Sequence, residues 1–460
     1  MKIKCNCPQG NGSPFWGDGL SRRHFVKIAG TGVVMSFFAD VFSPSLLFGS
    51  TSSNVALRNT AKSCIFVFLA GGPSNVDMWD LKEGAWTPMD FDPTSYGDLR
   101  WPQGLLPKLG GAINRLGIIR TGMAWAAVHP LAQKWAQIVR NPSGATGNIA
   151  PHIGAVVSME SQKSRTPKDV LPGFVALNGT MAGAGYFPAQ HAPFGVTASQ
   201  NGLPTLSHPE GAQRLNDRWN LIKSIDGARV TAELGKEAAD MANFYDAAKV
   251  LIDTPGINQV FSFTADEHTR YGASTFGDSL LVARNVVAAN KGARFVQVTF
   301  SGWDHHSNIY GKQGNSLYSQ GKMLDDGMGA LLGDLSTTAS ANGGMLLDET
   351  LVVMVGEFGR TVGPITANGG RDHFLRMSSV FAGAGVRGGR AIGVTDDLGS
   401  AAKDFGALGR DIRPEDIAAT IYSALGIDYT TVRPDDPLGR GFEYVPFAKD
   451  GYYGPVEELF

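Results

Sequence analysis

Short apolar runs, rich in β-branched and aromatic side chains, recur along the chain between more polar segments. Runs of this length and composition are typical of buried β-strands. The predicted strands are Cys64–Ala70, Gly173–Leu177, Phe295–Phe300, Thr350–Val355 and Ser379–Ala382.

Helical patterns lie between several of these strands. One covers Leu280–Asn290, and another covers Pro414–Leu425, which begins with a proline suited to a first helical turn. A third has its apolar positions on one face, at Leu324, Met328, Leu331, Leu332 and Leu335. Strands that alternate with helices predict an α/β fold, in which helices cover both faces of a mostly parallel sheet.

Two longer stretches lack this alternation. Residues 208–253 are polar with few apolar points, which predicts an inserted helical region. The Gly- and Pro-rich stretch Asn141–Gly202 has few periodic signals and predicts a long irregular excursion over the surface. No shift in composition marks a boundary, so we expect one domain over residues 61–460.

The first 50 residues resemble a twin-arginine signal peptide. The pair Arg22-Arg23 is followed by Lys27 and by a mildly apolar run from Ile28 to Ala39. That run is shorter than the roughly 20 residues of a membrane-spanning helix. The alternative is a basic start to a core helix. The sequence therefore predicts a leader over residues 1–50, recognition by the twin-arginine export machinery, and a periplasmic or secreted protein with no stable membrane span after cleavage.

The composition excludes several classes of protein. Hydrophobic residues make up 43% and charged residues 18%, as in an ordinary globular domain. A net charge of -2 disfavours nucleic acid as a partner. Cys5 and Cys7 lie in the leader, which leaves Cys64 alone beyond it. A disulfide framework is thus excluded, and a redox protein with haem or a cysteine cluster is disfavoured.

Acidic and imidazole side chains follow three of the predicted strands, in loops that begin with glycine. Asp77 follows the first strand, Asp304 and His306 follow the third, and Glu357 follows the fourth. The carboxyl ends of parallel strands lie along one edge of a sheet, so we expect these side chains to converge. A further loop carries His373 ahead of the last strand.

Carboxylates and imidazoles gathered in this way suit a divalent metal ion. The sequence predicts one or two ions, Zn²⁺, Mn²⁺ or Ca²⁺. The predicted metal ligands are Asp77, Asp304, His306, Glu357 and His373.

Other interpretations of these residues stay open. An aspartate after a strand often caps a helix or turn, and Glu357 can simply pair with Arg360. His305 and His306 are neighbours on extended backbone and point to opposite sides, so we favour His306 as the ligand and expect His305 to be exposed or behind it.

Three further polar residues have no motif of their own. His129 and His152 are single histidines, and we expect each to be structural. Asp325 opens an apolar-faced helix and supports a ligand or lies at the surface.

At these motifs the chain resembles domain-of-unknown-function family 1501, within the alkaline-phosphatase and sulfatase-like superfamily. The resemblance covers nearly all of the chain after the leader. It rests on the segments Phe66–Ser74, Gly302–Asn308, Gly356–Thr361, Gly370–His373, Arg413–Asp416 and Glu458–Phe460.

The resemblance implies a three-layer α/β/α sandwich with metal ions at its strand ends. It places Asp77 near the first strand, Asp304 and His306 as one ligand pair, Glu357 in place of the superfamily's usual aspartate, and His373 as the late histidine. The C/S-x-P-x-R signature of typical sulfatases does not occur in this sequence, which argues against formylglycine chemistry.

The sequence therefore favours a metal-dependent hydrolase that acts on phosphate or sulfate esters of small molecules or glycans. The ions would polarise the ester oxygen and generate or orient the attacking hydroxide. In the alternative, Ser74 or Thr121 acts as a metal-activated nucleophile. Arg360 or Arg371 would neutralise the anionic group. The alternative is an exported binding or scaffold protein that keeps the fold without catalysis.

Overall fold

The computed structural model describes residues 55–206, 210–230 and 245–460 of the chain. The predicted leader over residues 1–50 lies outside the described residues. Within those ranges, no helix combines the length and the apolar character that crossing a membrane requires.

A sheet of eight strands forms the centre of the protein. In spatial order its strands are β12 (Arg390–Ile392), β4 (Gly117–Met123), β11 (Arg376–Ala382), β8 (Thr350–Gly356), β1 (Ser63–Ala70), β7 (Phe295–Ser301), β5 (Phe174–Leu177) and β6 (Phe194–Val196). Strand β11 runs antiparallel to β4 and β8, and the other neighbouring pairs are parallel. The predicted α/β class with a mostly parallel sheet is confirmed.

The remaining strands form four small antiparallel pairs. They are β2 (Pro93–Tyr96) with β3 (Leu99–Pro102), β9 (Gly359–Arg360) with β10 (His373–Phe374), β13 (Val394–Thr395) with β14 (Ala402–Asp404), and β15 (Val432–Arg433) with β16 (Phe442–Glu443).

Helices occupy much of the chain between the strands. They are α1 (Pro107–Gly111), α2 (His129–Ile138), α3 (Ala145–Ile149), α4 (Ile153–Ser161), α5 (Gly211–Val230), α6 (Ala265–Arg270), α7 (Thr275–Ala288), α8 (Leu317–Thr337), α9 (Leu346–Glu349) and α10 (Pro414–Ala424). Residues 245–253 are also helical.

The central strand β1 separates two hydrophobic cores. Ile65 and Val67 belong to the core that α7 and α8 cover, whereas Phe66 and Phe68 belong to the core that α4 and α10 cover. Successive side chains of a strand point to opposite faces, so this alternation builds three layers. Each fully buried side chain of this size contributes about 1.5–3 kcal/mol to folding.

The predicted elements are largely present. All five predicted strands are confirmed in β1, β5, β7, β8 and β11, and the three helical patterns are confirmed in α7, α8 and α10. The strands were recognisable because each is buried on both faces and is therefore apolar throughout.

The predicted irregular excursion over Asn141–Gly202 is wrong in part. It contains α4, whose residues from Ile153 to Ser158 are all buried, and β6, which extends the central sheet. A helix buried on all sides has no polar face, so its sequence lacks the periodicity that reveals amphipathic helices.

An inserted helical region was predicted over residues 208–253. Within the part of it that the structure describes, α5 and residues 245–253 are helical. Leu221 and Ile225 of α5 are exposed. The division of the chain into a leader and one domain stays a prediction.

Candidate functional site

Four loops meet at one edge of the central sheet. They follow β1, β7, β8 and β4, and all four strands run in the same direction, because β4 and β8 are both antiparallel to β11. The fold thus gathers the carboxyl ends of these strands, the edge at which α/β proteins bind ligands.

Three histidines and one aspartate form a cluster at this edge: His129, Asp304, His306 and His373. The Nε2 atoms of the histidines lie close to Oδ1 of Asp304, at 3.1 Å for His306, 3.3 Å for His129 and 3.5 Å for His373. One candidate ligand atom from each residue lies within 4.8 Å of all the others. We call these four residues the histidine cluster.

Two histidines of the cluster almost touch. Nε2 of His306 lies 2.9 Å from Nε2 of His373. Nδ1 of His373 donates a hydrogen bond to the carbonyl of Ala127 at 2.8 Å, so in the neutral ring Nε2 carries a lone pair. Two nitrogens this close require a proton or a cation between them.

The outer nitrogens of the cluster histidines face oxygen atoms. Nδ1 of His129 donates to Oε1 of Glu357 at 2.7 Å, and Nδ1 of His306 lies 3.5 Å from Asp372. Metal-binding histidines typically make such a contact with a carboxylate or a backbone carbonyl, which fixes the tautomer and the ring orientation. All three rings therefore direct Nε2 towards Asp304.

Glu357 lies behind the cluster. Its side chain is buried, and Oε1 accepts hydrogen bonds from the backbone of Gly71 at 2.8 Å and from Gln133 at 2.9 Å, as well as from His129. Oε2 has no hydrogen-bond partner among the described residues. The structure thus places Glu357 next to a cluster residue, where it orients His129.

Arg360 holds Asp304 of the histidine cluster in place. Its guanidinium is buried and donates to the backbone carbonyls of Gly71 and Gly72, and Nη2 lies 2.7 Å from Oδ1 of Asp304. Partial burial tends to raise the pKa of Asp304, but the hydrogen bond and charge of Arg360, followed by the nearby histidines, lower it to about 2. Asp304 is therefore an anion at neutral pH.

The histidines respond differently to their surroundings. The hydrogen bond that His129 donates to Glu357 raises the pKa of His129 despite its partial burial, whereas burial lowers the pKa of His373. His373 is thus neutral at pH 7 and can donate its lone pair.

Asp77 and Arg371 form a separate buried pair. Nε and Nη2 of Arg371 donate to the two oxygens of Asp77 at 2.7 and 3.0 Å. The other Arg371 hydrogens reach the hydroxyl of Tyr310 and the carbonyls of Thr361 and Gly363, so all five donors are used. Asp77 is not brought into the histidine cluster.

Ser74 is hydrogen-bonded to this buried pair. It is buried, and its hydroxyl donates to Asp77 at 2.6 Å. Thr121, the other candidate nucleophile, is also buried, and its hydroxyl has no partner among the described residues.

Other sequence expectations have mixed outcomes. His305 is buried, so of its two expected placements, exposed or behind His306, the exposed one is wrong; it is not part of the histidine cluster. His152 is structural, because its Nδ1 accepts a hydrogen bond from Gly154 at the start of α4. Asp325 supports no ligand residue, since it accepts hydrogen bonds from the backbone of Lys108 and Leu109.

His129 is the member of the cluster that the sequence analysis missed. It was expected to be structural, yet it begins α2 directly after the loop that follows β4. The loop after β4 lies at the same edge of the sheet as Asp304 and His306, but Arg120 and Thr121 interrupt the apolar run of that strand.

The donor set fits a divalent transition metal. Three imidazole nitrogens and one carboxylate match the ligands of Zn²⁺ sites and suit Mn²⁺. Ca²⁺ prefers six to eight oxygen ligands, so three nitrogens make it the poorest fit of the three predicted ions.

Comparisons with known proteins give several similarities. No curated protein matches the chain. Among solved structures, it is similar to Ps i-CgsB in complex with k-i-k-neocarrahexaose, at 10% identity and a TM-score of 0.42, over 85% of this chain and 77% of the other. It is also similar to the lipoteichoic acid synthase LtaP from Listeria monocytogenes, at 11% identity and a TM-score of 0.39, over 82% and 75% of the two chains.

A third similar structure is a protein in the alkaline phosphatase superfamily from Vibrio parahaemolyticus, at 10% identity and a TM-score of 0.37, over 80% and 67% of the two chains. At such identities and TM-scores, the likeness does not bear on activity. The family match is more extensive, since it spans residues 61–445. The chain belongs to the family described as protein of unknown function (DUF1501).

Proposed function

We propose that the chain is a metal-dependent hydrolase of phosphate or sulfate esters, with the metal held by His129, Asp304, His306 and His373. The observation that carries this proposal is the convergence of three Nε2 atoms within 3.5 Å of one carboxylate oxygen. Zn²⁺ or Mn²⁺ is the expected ion.

A divalent ion at this site would supply Lewis acidity towards the ester group. The residues around the site prepare it for that role. Arg360 keeps Asp304 ionised, and Glu357 holds the Nδ1 proton of His129, so that Nε2 presents its lone pair. Asp304 and His306 are half-exposed, which leaves the cluster open to a substrate.

Water is the attacking group that the surroundings favour. The hydroxyl of Ser74 is buried and already donates to Asp77, and every donor of Arg371 is used within the protein. Arg360 likewise acts on Asp304 and on backbone carbonyls. We therefore assign Arg360 to the support of the histidine cluster, and Ser74 and Arg371 to the separate buried pair with Asp77.

Export by the twin-arginine pathway is part of the same proposal. The support is the sequence around Arg22-Arg23, and the expected location is the periplasm or the outside of the cell. Replacing both arginines by lysine should keep the protein in the cytoplasm, as measured by cell fractionation. Unchanged export of that variant would refute this part.

The activity test uses the purified protein loaded with Zn²⁺ or Mn²⁺ and p-nitrophenyl phosphate, bis-p-nitrophenyl phosphate or p-nitrophenyl sulfate. We expect turnover that falls about 100-fold or more in Asp304→Ala. His268→Ala is the matched control, because His268 also pairs with a carboxylate, Asp278, at 2.6 Å.

A metal-loaded protein without turnover on any ester would favour the second candidate, a binding or scaffold protein. One observation favours that candidate: Ser74 and Arg371 are both engaged in hydrogen bonds inside the protein.

A further inference from the structure

A pocket of about 410 Å³ lies beside the loop that leads into α2. Its aromatic lining comes from Trp125, Trp135, Phe447 and Tyr453. Pockets of 300–1,000 Å³ with aromatic walls and a few polar groups are the usual sites for small ligands. We call it the tryptophan pocket.

The two indole rings of this pocket are fixed in place. Nε1 of Trp125 and Nε1 of Trp135 both donate to the buried carboxylate of Glu415, at 2.9 and 3.1 Å. The ring centroids are 5.8 Å apart, with planes inclined by 22°. Trp125 is nevertheless 41% exposed. Rings held in this way lose little conformational entropy when a ligand packs against them.

The backbone conformation of Phe447 is unfavourable for a bulky side chain. Its side chain is 56% exposed, and its φ of 58° lies in the left-handed region that bulky side chains avoid. Folding gains little from an exposed phenyl ring in a strained backbone. Strain of this kind is concentrated at ligand sites, and Phe447 lines the tryptophan pocket.

Charges around the pocket disfavour an ionic ligand. Glu415 and Glu443 line it and oppose an anion. Arg140 also lines it, and the guanidinium of Arg413 lies 4.0 Å from the ring centroid of Trp125, so a cation is opposed as well. The remaining class is a neutral ligand with an apolar face for the rings and hydroxyl groups for the polar side chains.

The pocket lies next to the histidine cluster. The carbonyl of Ala127 accepts the hydrogen bond from His373, and Trp125 is two residues away, hence within roughly 7 Å along the backbone. Trp135 is six residues beyond His129 in α2, about 9 Å along the helix axis. Short stretches of backbone therefore connect the wall of the pocket to the histidine cluster.

We infer that the tryptophan pocket binds a neutral sugar ring and is the glycan subsite of this protein. Pyranose rings combine an apolar C–H face with hydroxyls at the edge, which matches the partly exposed aromatic lining of this pocket with Arg140 and Glu443 beside it. The inference rests on the proposed function in one respect, because the sugar ring would be part of a glycan ester that the protein hydrolyses. The binding of sugar does not depend on catalysis.

The test is isothermal titration calorimetry of the full chain with maltotriose, cellotriose, xylotriose and triacetylchitotriose. We expect at least one to bind with a Kd of about 1 mM or tighter. Trp125→Ala and Phe447→Gly should each weaken that binding about 10-fold or more. Trp86→Ala is the matched control, because Trp86 is half-buried outside the pocket.

Phe447→Gly keeps the test informative if Trp125→Ala fails to fold, because glycine adopts a positive φ without strain. Its thermal stability should equal or exceed that of the wild type. Binding of none of the trisaccharides, or binding that both pocket variants leave unchanged, would overturn the inference. Binding of choline or p-cresol in place of sugars would overturn it too.

Asp304→Ala separates this inference from the proposed function. The variant should bind the trisaccharide as the wild type does. Sugar binding without ester hydrolysis in the wild type would refute the hydrolase alone, whereas hydrolysis without sugar binding would refute the glycan subsite alone.

Discussion

Oε1 of Glu357 accepts a hydrogen bond from Nδ1 of His129 at 2.7 Å, although 228 residues separate them in sequence. The contact joins the loop after β8 to the first residue of α2 and turns Nε2 of His129 towards Asp304. A carboxylate behind a histidine is the arrangement that tunes many metal ligands.

Glu357→Gln should weaken Zn²⁺ binding about 10–100-fold. The neutral amide accepts the hydrogen bond from Nδ1 of His129 more weakly than the carboxylate does, and it leaves Nε2 of His129 less basic. Competition with a chelator measures the change. Asp278→Asn, which alters the His268 pair, should leave the affinity unchanged. Equal affinities of wild type and Glu357→Gln would show that Glu357 does not orient His129.

Arg360→Ala should lower the free energy of unfolding by about 3–5 kcal/mol, because the carbonyls of Gly71 and Gly72 lose a buried donor. Urea unfolding measures this. Arg58→Ala is the control, because Arg58 forms an exposed pair with Glu457, whose loss costs about 0–1 kcal/mol. Similar losses in both variants would contradict the supporting role of Arg360.

Asp77→Asn should destabilise the protein by about 3–5 kcal/mol, since it leaves Arg371 buried and uncompensated. The folded fraction should still bind Zn²⁺ like the wild type, because Asp77 stands outside the histidine cluster. Loss of metal from folded Asp77→Asn would instead make Asp77 a ligand, as the sequence predicted.

Glu415 gives a pH dependence of stability. Burial raises its pKa above the ordinary value of 4.5, so the folded state binds its proton more tightly than the unfolded state. The stability from this group is complete below pH 4.5 and is lost as pH rises through the folded-state pKa. Glu415→Gln should therefore gain stability relative to the wild type as pH rises. A difference that is constant with pH in urea unfolding would contradict this.

Asp304 and His306 could be predicted from the sequence because buried parallel strands are apolar throughout and end at one edge. His373 came from the loop ahead of the last predicted strand, and the structure brings the three residues together. His129 could not be predicted in this way, because Arg120 and Thr121 interrupt the apolar run of β4.

The pairing of Asp77 with Arg371 could not be predicted for a different reason. The two residues are 294 positions apart, and only the folded chain shows that each satisfies the other. The same holds for Glu415, whose two tryptophan partners come from α2 and the loop before it.

The most direct test of the metal site is elemental mass spectrometry of the purified full chain beside the double variant Asp304→Ala, His373→Ala and the control His268→Ala. We expect stoichiometric zinc or manganese in the wild type and the control, and none in the double variant. Folded wild-type protein without metal, or metal retained in the double variant, would contradict the account.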